Sequence, residues 1–432
     1  MARIKLAYIG GGSTRAPGTV ASIVKHGEAF AGSEVVLVDL NEEHLEIVRT
    51  LGERMAKAAG IDLRVSATTD RHAALRDCDA VLSSFRPGGF EARILDERIP
   101  LKHGVIGQET QGPGGFFMAL RTIHVTREIT EAMERVCPNA MLFNYTNPVN
   151  IVAEAVSHYS AVPVVSLCDG PLGYPRDMAR NAGLDPDKLD TIMAGLNHNS
   201  WTVRHEYDGS DLIARLNDAY EGELREPKLS EWPRRMLGLA VTMRAVPASY
   251  FRYYYFRNEA LQDLQSARMT RAETILSEAP DYWTHYREQA ASDNPTLDPE
   301  RSRGGVHELE LAISVMDAHF NDRAETWPVN VPNEGSIADL PDDRVVETIG
   351  IVDRAGVHPQ PVGRLPRGAV GLVEMLSEYQ SLAAEAAWCG TRRDGVRALA
   401  ANPLVMDLTL AERLYDEMAA AHRAHLPERL LA

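Results

Sequence analysis

The first forty residues constrain the fold more than anything after them. Ile4 to Ile9 is a short apolar run that breaks at Gly10-Gly11-Gly12-Ser13, and a helical pattern follows from Pro17 to Lys25. Val35-Val36-Leu37-Val38 repeats the apolar run and ends on Asp39. This is a complete βαβ unit. The charged, amphipathic stretch Glu42 to Ala58 comes next, and then the apolar runs Ala80-Val81-Leu82, Ala140-Met141-Leu142-Phe143 and Val162 to Leu167. Helical patterns around Arg71 to Leu75, Ala119 to Arg135 and Val149 to Tyr159 separate them. Alternation of this kind predicts an α/β fold: a Rossmann-type, doubly wound parallel sheet with helices on both faces.

After about Gly195 the pattern shifts to long helical stretches, Pro233 to Val246 and Glu259 to Glu278, broken by Pro-bearing loops. Ser292 to Pro299 reads as a loop, and Trp327 to Asp343 as an irregular or short-strand region. With 432 residues the chain can hold two cores. The expected division is a nucleotide-binding Rossmann-like domain over 1–195 and a helix-rich α+β domain over 196–432, serving substrate, metal and oligomerisation.

Composition excludes several classes. Cys78, Cys137, Cys168 and Cys389 are scattered without CxxC spacing, so neither a disulfide framework nor a zinc ribbon is indicated, and a reducing cytoplasm fits. Met1-Ala2-Arg3-Ile4-Lys5 runs straight into a strand, and no apolar run approaches the roughly 20 residues that span a bilayer, so neither secretion nor a membrane anchor is expected. A net charge of −16 disfavours nucleic acid as a partner but leaves room for a small anionic substrate read by a few local arginines.

The glycine loop carries the first chemistry. Gly10 and Gly12 let the backbone turn tightly beside a pyrophosphate, which Ser13 and the following helix N-terminus would meet. Arg15 stands where the full fingerprint has a third glycine. Asp39 offers an acceptor to a ribose 2′-hydroxyl, which favours NAD over NADP. Four further polar loops follow strands or lead into helices: Arg86-Pro87-Gly88-Gly89, Gly107-Gln108-Glu109-Thr110-Gln111-Gly112-Pro113-Gly114-Gly115, Asn144-Tyr145-Thr146-Asn147-Pro148 and Cys168-Asp169-Gly170-Pro171. Ligands bind beyond the carboxyl ends of parallel strands, so these loops should converge. The Cys168 thiolate and His198 imidazole suit a divalent metal, and ligand hardness alone ranks Zn2+ or Fe2+ beside Mn2+. The competing reading is a structural cysteine and a capping histidine.

The segments Gly10-Gly11-Gly12-Ser13, Arg86-Pro87-Gly88-Gly89, Gly107-Gln108-Glu109-Thr110, Asn147-Pro148, Cys168-Asp169, Gly195-Leu196-Asn197-His198 and Tyr250-Phe251-Arg252-Tyr253-Tyr254 resemble glycoside hydrolase family 4, in order, from residue 4 to beyond Arg303-Gly304-Gly305. Members of that family stand apart from the two-carboxylate glycosidases. The resemblance implies NAD and a divalent metal, most simply Mn2+, and a route by elimination. The sugar is oxidised at C3, its acidified C2 proton is removed, the C1 substituent leaves, water adds and the ketone is reduced again. It also implies residue roles. Cys168 and His198 would bind metal, and Tyr250 would take the C2 proton. Asp169 would either protonate the leaving oxygen or support the metal as a neighbouring carboxylate. Gly10, Gly12, Ser13, Asp39, Arg86 and Asn144 would contact the cofactor, and Arg93, Asn147, Asn197 and Arg271 the sugar or its phosphate. Tyr253 to Tyr255 read instead as an aromatic core stripe.

The implied substrate is a small sugar or sugar phosphate, with 6-phospho-β-glucosides favoured. Arg15, and Val306-His307-Glu308-Leu309-Glu310 after the Arg303-Gly304-Gly305 turn, depart from the phospho-β-glucosidase pattern, because Glu308 would repel a phosphate. A 6-phospho-α-glucosidase, or an α-galactosidase or α-galacturonidase of the same family, therefore stays open. So do two readings outside glycosidase chemistry: an NAD-dependent hydroxyacid dehydrogenase and a non-catalytic NAD sensor. The resemblance further implies a homodimer or homotetramer.

Overall fold

Alternation of small and large apolar side chains along the first strands assigns each residue to one of two cores. The computed structural model describes residues 1–431. Its strands are β1 Lys5–Ile9, β2 Ser33–Val38, β3 Leu63–Thr68, β4 Ala80–Ser83, β5 Met141–Asn144, β6 Val164–Ser166, β7 Leu189–Leu196, β8 Asn199–Tyr207, β9 Ser210–Asp211, β10 Glu325–Pro332, β11 Val345–Asp353 and β12 Gly356–Pro359. Ala7, Ile9, Val36 and Val38 face one core, and Leu6, Tyr8, Val35 and Leu37 the other, as the period of two in a strand demands. Each fully buried side chain of this size contributes about 1.5–3 kcal/mol.

Strands β3-β2-β1-β4-β5-β6 are parallel, in the order of a Rossmann sheet. The same sheet then continues through the later strands as β10-β11-β7-β8-β9, all antiparallel, with β12 pairing β11. The helices Val370–Trp388, Arg392–Ala401 and Leu408–Ala421 pack back on the long helix Gly112–Val136. Late sequence therefore completes a face of the early sheet.

The expected helix over Glu259 to Glu278 is two helices, Arg257–Ser266 and Arg271–Ala291. Thr270 and Glu273 form a capping box at the second one, starting it afresh. Trp327 to Asp343 begins as regular strand β10 and becomes irregular only beyond Pro332. The helix read from Ala119 begins at Gly112. Its glycines make room for the preceding loop, since a Cβ on Gly114 would stand 2.3 Å from Gln108 O and one on Gly115 2.3 Å from Thr110 C. That close approach sets Glu109 against Arg86 and Arg93, and Thr110 against His198.

Candidate active site

Beyond the carboxyl ends of β1, β2, β4 and β5 lies a cleft of about 1880 Å3. It is larger than an ordinary small-ligand pocket of roughly 300–1,000 Å3, and so has room for a dinucleotide and a second molecule. Gly10, Gly12, Ser13, Asp39, Arg86, Arg93, Asn147, Tyr250 and Arg271 all line it. At one end the backbone is the working part. Gly12 N donates to Asp39 Oδ2 at 3.0 Å, Leu40 N donates to Asp39 Oδ1 at 2.7 Å, and a Cβ on Gly12 would lie 2.8 Å from that of Asp39. Each carboxylate oxygen keeps a lone pair for a ribose hydroxyl. Ser13 Oγ is buried without a partner, as is Asn147 Oδ1 further in.

One wall carries guanidinium groups. Glu109 bridges Arg86 at 2.5 Å and Arg93 at 2.9 Å, while Arg93 also donates to Glu97 Oε1 at 2.7 Å. The other Glu97 oxygen accepts Ala272 N at 2.9 Å, so one carboxylate ties Arg93 to the start of the helix bearing Arg271. Burial raises the Glu109 carboxyl, but Arg86 and Arg93 outweigh it and hold it at about 2. Arg303 has no carboxylate partner among the described residues. It donates to Thr14 Oγ1 at 3.0 Å and covers the Phe90 ring at 4.7 Å. Burial, with Arg15 and Arg86 repelling it, brings its guanidinium down to about 9. An unpaired, crowded cation of this kind is a place for an anion. Glu308, expected to repel a phosphate, is instead engaged by Arg15 at 3.3 Å.

Cys168 and His198 meet across the sheet. Cys168 follows β6, and its Sγ accepts Gly170 N at 3.4 Å at the mouth of the helix Gly170–Asn181. His198 occupies the turn between β7 and β8 with φ of 65°, and its Nε2 lies 3.8 Å from Cys168 Sγ. Its other nitrogen is fixed by a chain. Gln108 Oε1 accepts Thr110 N at 2.6 Å, Gln111 N at 2.8 Å and the Thr110 hydroxyl at 3.0 Å. A hydroxyl already donating to Gln108 must accept from His198 Nδ1–H, 3.0 Å away. The proton therefore sits on Nδ1, and the Nε2 lone pair faces the thiol.

Burial pushes His198 down to about 4, keeping the imidazole neutral. Burial, helped by the charge of Glu347, pushes the Cys168 thiol up to about 12, against the pull of Asn197 and Gly170 N–H. Such a thiol ionises when a cation binds it. Among the described residues no cluster of three or more histidine, cysteine or carboxylate side chains could hold a metal, so a metal bound by this pair would have two protein ligands and open positions. That donor set fits a metal which also takes substrate oxygens.

The Tyr250 ring stacks on His198 at 3.9 Å and 5°. Burial, then Glu109 and Cys168, push its hydroxyl up, while Arg93 pulls it down. Tyr253 is buried as expected, and Tyr254 donates its hydroxyl to Gln111 at 2.6 Å. Asp169 accepts the Tyr145 hydroxyl at 3.0 Å. Solvent reaches Asp169, yet the density of protein around it raises its carboxyl, with Tyr145 and Arg15 opposing.

Five expected site residues do not line the cleft: Asn144, Cys168, Asp169, Asn197 and His198, the last beside Asn197 in a separate cavity. Asn144 is buried under the cleft, its amide taken up by Ser83, Thr146 and Ser166. Asn197 lines a separate cavity of about 20 Å3 and donates to Glu347. Sequence reasoning assigned no role to Thr110, Glu109 or Glu347. The first two stood in a loop marked as functional, and the third had no signal at all. Over the nucleotide end, the helix Arg271–Ala291 packs on the helix Glu42–Ala58. Trp283 stacks on His44 at 3.6 Å, Arg287 meets Glu43 at 2.6 Å, and Arg54 donates to Ala291 O at 3.0 Å.

The protein is thus a Rossmann-type α/β fold with an antiparallel extension, in which a thiol, an imidazole and a phenol ring form one cluster. The sequence profile described as family 4 glycosyl hydrolase matches residues 5–184, and that of the family 4 glycosyl hydrolase C-terminal domain matches residues 193–405. The chain belongs to this family and is a glycosidase. It is 37% identical to a probable 6-phospho-beta-glucosidase of Bacillus subtilis, covering 98% of each chain. It is 28% identical to a 6-phospho-alpha-glucosidase of Leptotrichia buccalis, covering 99% of each. It superposes with a TM-score of 0.84 on a 6-phospho-beta glucosidase from Thermotoga maritima holding manganese, NAD+ and glucose-6-phosphate, at 27% identity over 98% of this chain and 99% of that one.

Proposed function

We propose that this enzyme hydrolyses 6-phospho-β-glucosides with NAD and a divalent metal, Mn2+ first among them. The relatives named above support the substrate class and both cofactors. The observation that carries the reading is the cluster in which the Nε2-presenting His198 meets Cys168 and stacks on Tyr250, a residue that lines the nucleotide cleft. Bound NAD would supply reversible oxidation at sugar C3. Bound at Cys168 Sγ and His198 Nε2, the metal would supply Lewis acidity toward the sugar oxygens, which acidifies C2–H.

The remaining work falls to this chain's own groups. Arg303, with Arg93 and Arg271, neutralises the 6-phosphate, and the free Asn147 Oδ1 accepts a sugar hydroxyl. Tyr250 takes the C2 proton as the phenolate; burial favours the protonated hydroxyl, so its ionisation at neutral pH requires adjacent positive charge, part of which Arg93 provides. Asp169, with its raised carboxyl, delivers a proton to the leaving oxygen. Glu109 holds the arginine wall in place and stays ionised.

Because the route begins at C2 rather than by displacement at C1, the same groups serve either anomer, and 6-phospho-α-glucosides form the second reading. We further propose the division into a nucleotide unit over 1–195 and a substrate unit over 196–432, a cytoplasmic setting, and a homodimer or homotetramer, checked by light scattering. Among the described residues no helix is long and apolar enough to cross a membrane. The decisive test is turnover of an aryl 6-phospho-β-glucoside in D2O with NAD and Mn2+. Deuterium at C2 of the released sugar with no net NADH is expected. Product without C2 label would overturn elimination, and stoichiometric NADH would favour a dehydrogenase.

A further inference from the structure

Glu347 lies on β11, wholly buried, with no arginine, lysine or histidine paired to it among the described residues. A carboxylate in that position is costly unless its oxygens are fully used. Here both are. One accepts Asn197 Nδ2 at 2.8 Å and the other the Ser200 hydroxyl at 2.6 Å. Those two donors flank His198 in the β7–β8 turn. Glu347 also pairs in register with Gly195, the residue where the turn begins to form.

The turn needs such a brace. His198 sits at φ of 65°, a left-handed conformation that a non-glycine residue keeps only when its surroundings impose it. Gly195 has φ of 142°, and a Cβ there would lie 2.7 Å from Asn199 O. The Thr110 hydrogen bond fixes which nitrogen of His198 carries its proton, but not the backbone that aims the ring. Among the described residues, Glu347 is the side chain that accepts hydrogen bonds from the turn on both sides of the histidine.

We infer that Glu347 is a positioning residue: by bridging Asn197 and Ser200 it holds the His198 turn so that Nε2 faces Cys168, and so sets the enzyme's affinity for its divalent metal. The inference rests on the metal site proposed above. Groups that orient a metal-binding histidine typically change metal affinity about 10–100-fold when removed.

The test is Mn2+ binding to the full-length protein, read from the free-ion EPR signal, beside NAD binding by calorimetry. Glu347→Ala is expected to weaken Mn2+ binding by about 10–100-fold while NAD affinity stays within about twofold. Ser200→Ala, which removes one strut, should lose several-fold and remain folded if the alanine at 347 does not. Glu347→Gln should recover most of the loss, because its amide oxygen can accept Asn197 while Ser200 turns to accept its N–H. Folded Glu347→Ala and Ser200→Ala proteins with unchanged Mn2+ affinity would overturn the positioning role, provided Cys168→Ser is defective. A Cys168→Ser protein that binds Mn2+ as well as the parent would remove the metal site itself, and this inference with it.

Discussion

At the nucleotide end of the cleft the working groups are backbone amides and one carboxylate, and each is already held by a neighbour: Gly12 N by Asp39, Asp39 by Leu40 N. At the thiol end the proposed working groups are side chains from the loop after β6, the β7–β8 turn and the segment around Tyr250, with His198 buried, Cys168 and Tyr250 half-buried, and all three shifted in their proton affinities. The first arrangement is geometric, and one added carbon spoils it. The second is electrostatic, and it is spoiled by changing a proton or a charge.

The sharpest way to break this comparison is Tyr250→Phe, which leaves the glycine loop untouched. Loss of a positioned general base predicts a fall in kcat of about 10²–10⁴-fold with NAD affinity unchanged. Steady-state kinetics and calorimetry check it, and weakened NAD binding would mean that the two ends are not separable. Next in size is a pH effect confined to the thiol end. Burial raises the Glu347 carboxyl from 4.5 to about 7, so the folded state holds this proton more tightly than the unfolded chain. Its contribution is present below pH 4.5 and lost as pH rises through about 7. That loss amounts to about 3 kcal/mol in the metal-free protein. Urea unfolding at pH 4.5 and 8 should show it in the parent and not in Glu347→Gln; equal pH dependence in both would refute it.

The mirror experiment breaks the geometric end. Gly12→Ala drives a methyl into Asp39, and overpacking of this kind costs roughly 1–3 kcal/mol. NAD should bind about 5–150-fold more weakly by calorimetry, with Mn2+ binding intact. The smallest effect sharpens the boundary between the two ends. Glu308→Gln releases Arg15, whose side chain is 41% exposed, so the gain is modest. KM for a 6-phosphorylated substrate should fall by about two- to fivefold, with no change for its unphosphorylated counterpart. A rise in KM would show that Glu308 orders Arg15 for the phosphate instead of competing for it.

The same contrast explains what could be read from the sequence. The glycine loop is contiguous, so Gly10, Gly12 and Asp39 announced both the parallel sheet and the nucleotide. Cys168 and His198 could be picked out by donor type but not told from a structural pair without the resemblance, because 30 residues and a hairpin separate them, and the role of Tyr250 came through resemblance alone. That hairpin was missed, since β7 and β8 lie where helical periodicity was expected to begin. Thr110 orients His198 across 88 residues, and Glu347 meets Asn197 across 150. No local pattern encodes either contact. Glu347 in particular sits in Val345-Val346-Glu347-Thr348, which reads as an ordinary strand with one side chain in water. The Thr270 and Glu273 capping box, by contrast, was present in the sequence and went unread.

The stack of Trp283 on His44, with Arg287 on Glu43 and Arg54 on the helix end, has a kinetic meaning. These contacts tie two helices together beside the nucleotide end, so on this reading loosening them should speed exchange of a bound nucleotide. On the reading proposed here, the nucleotide returns to its starting oxidation state after every cycle and has no reason to exchange. Slow escape would then be no handicap, since one bound nucleotide could serve many sugars in turn.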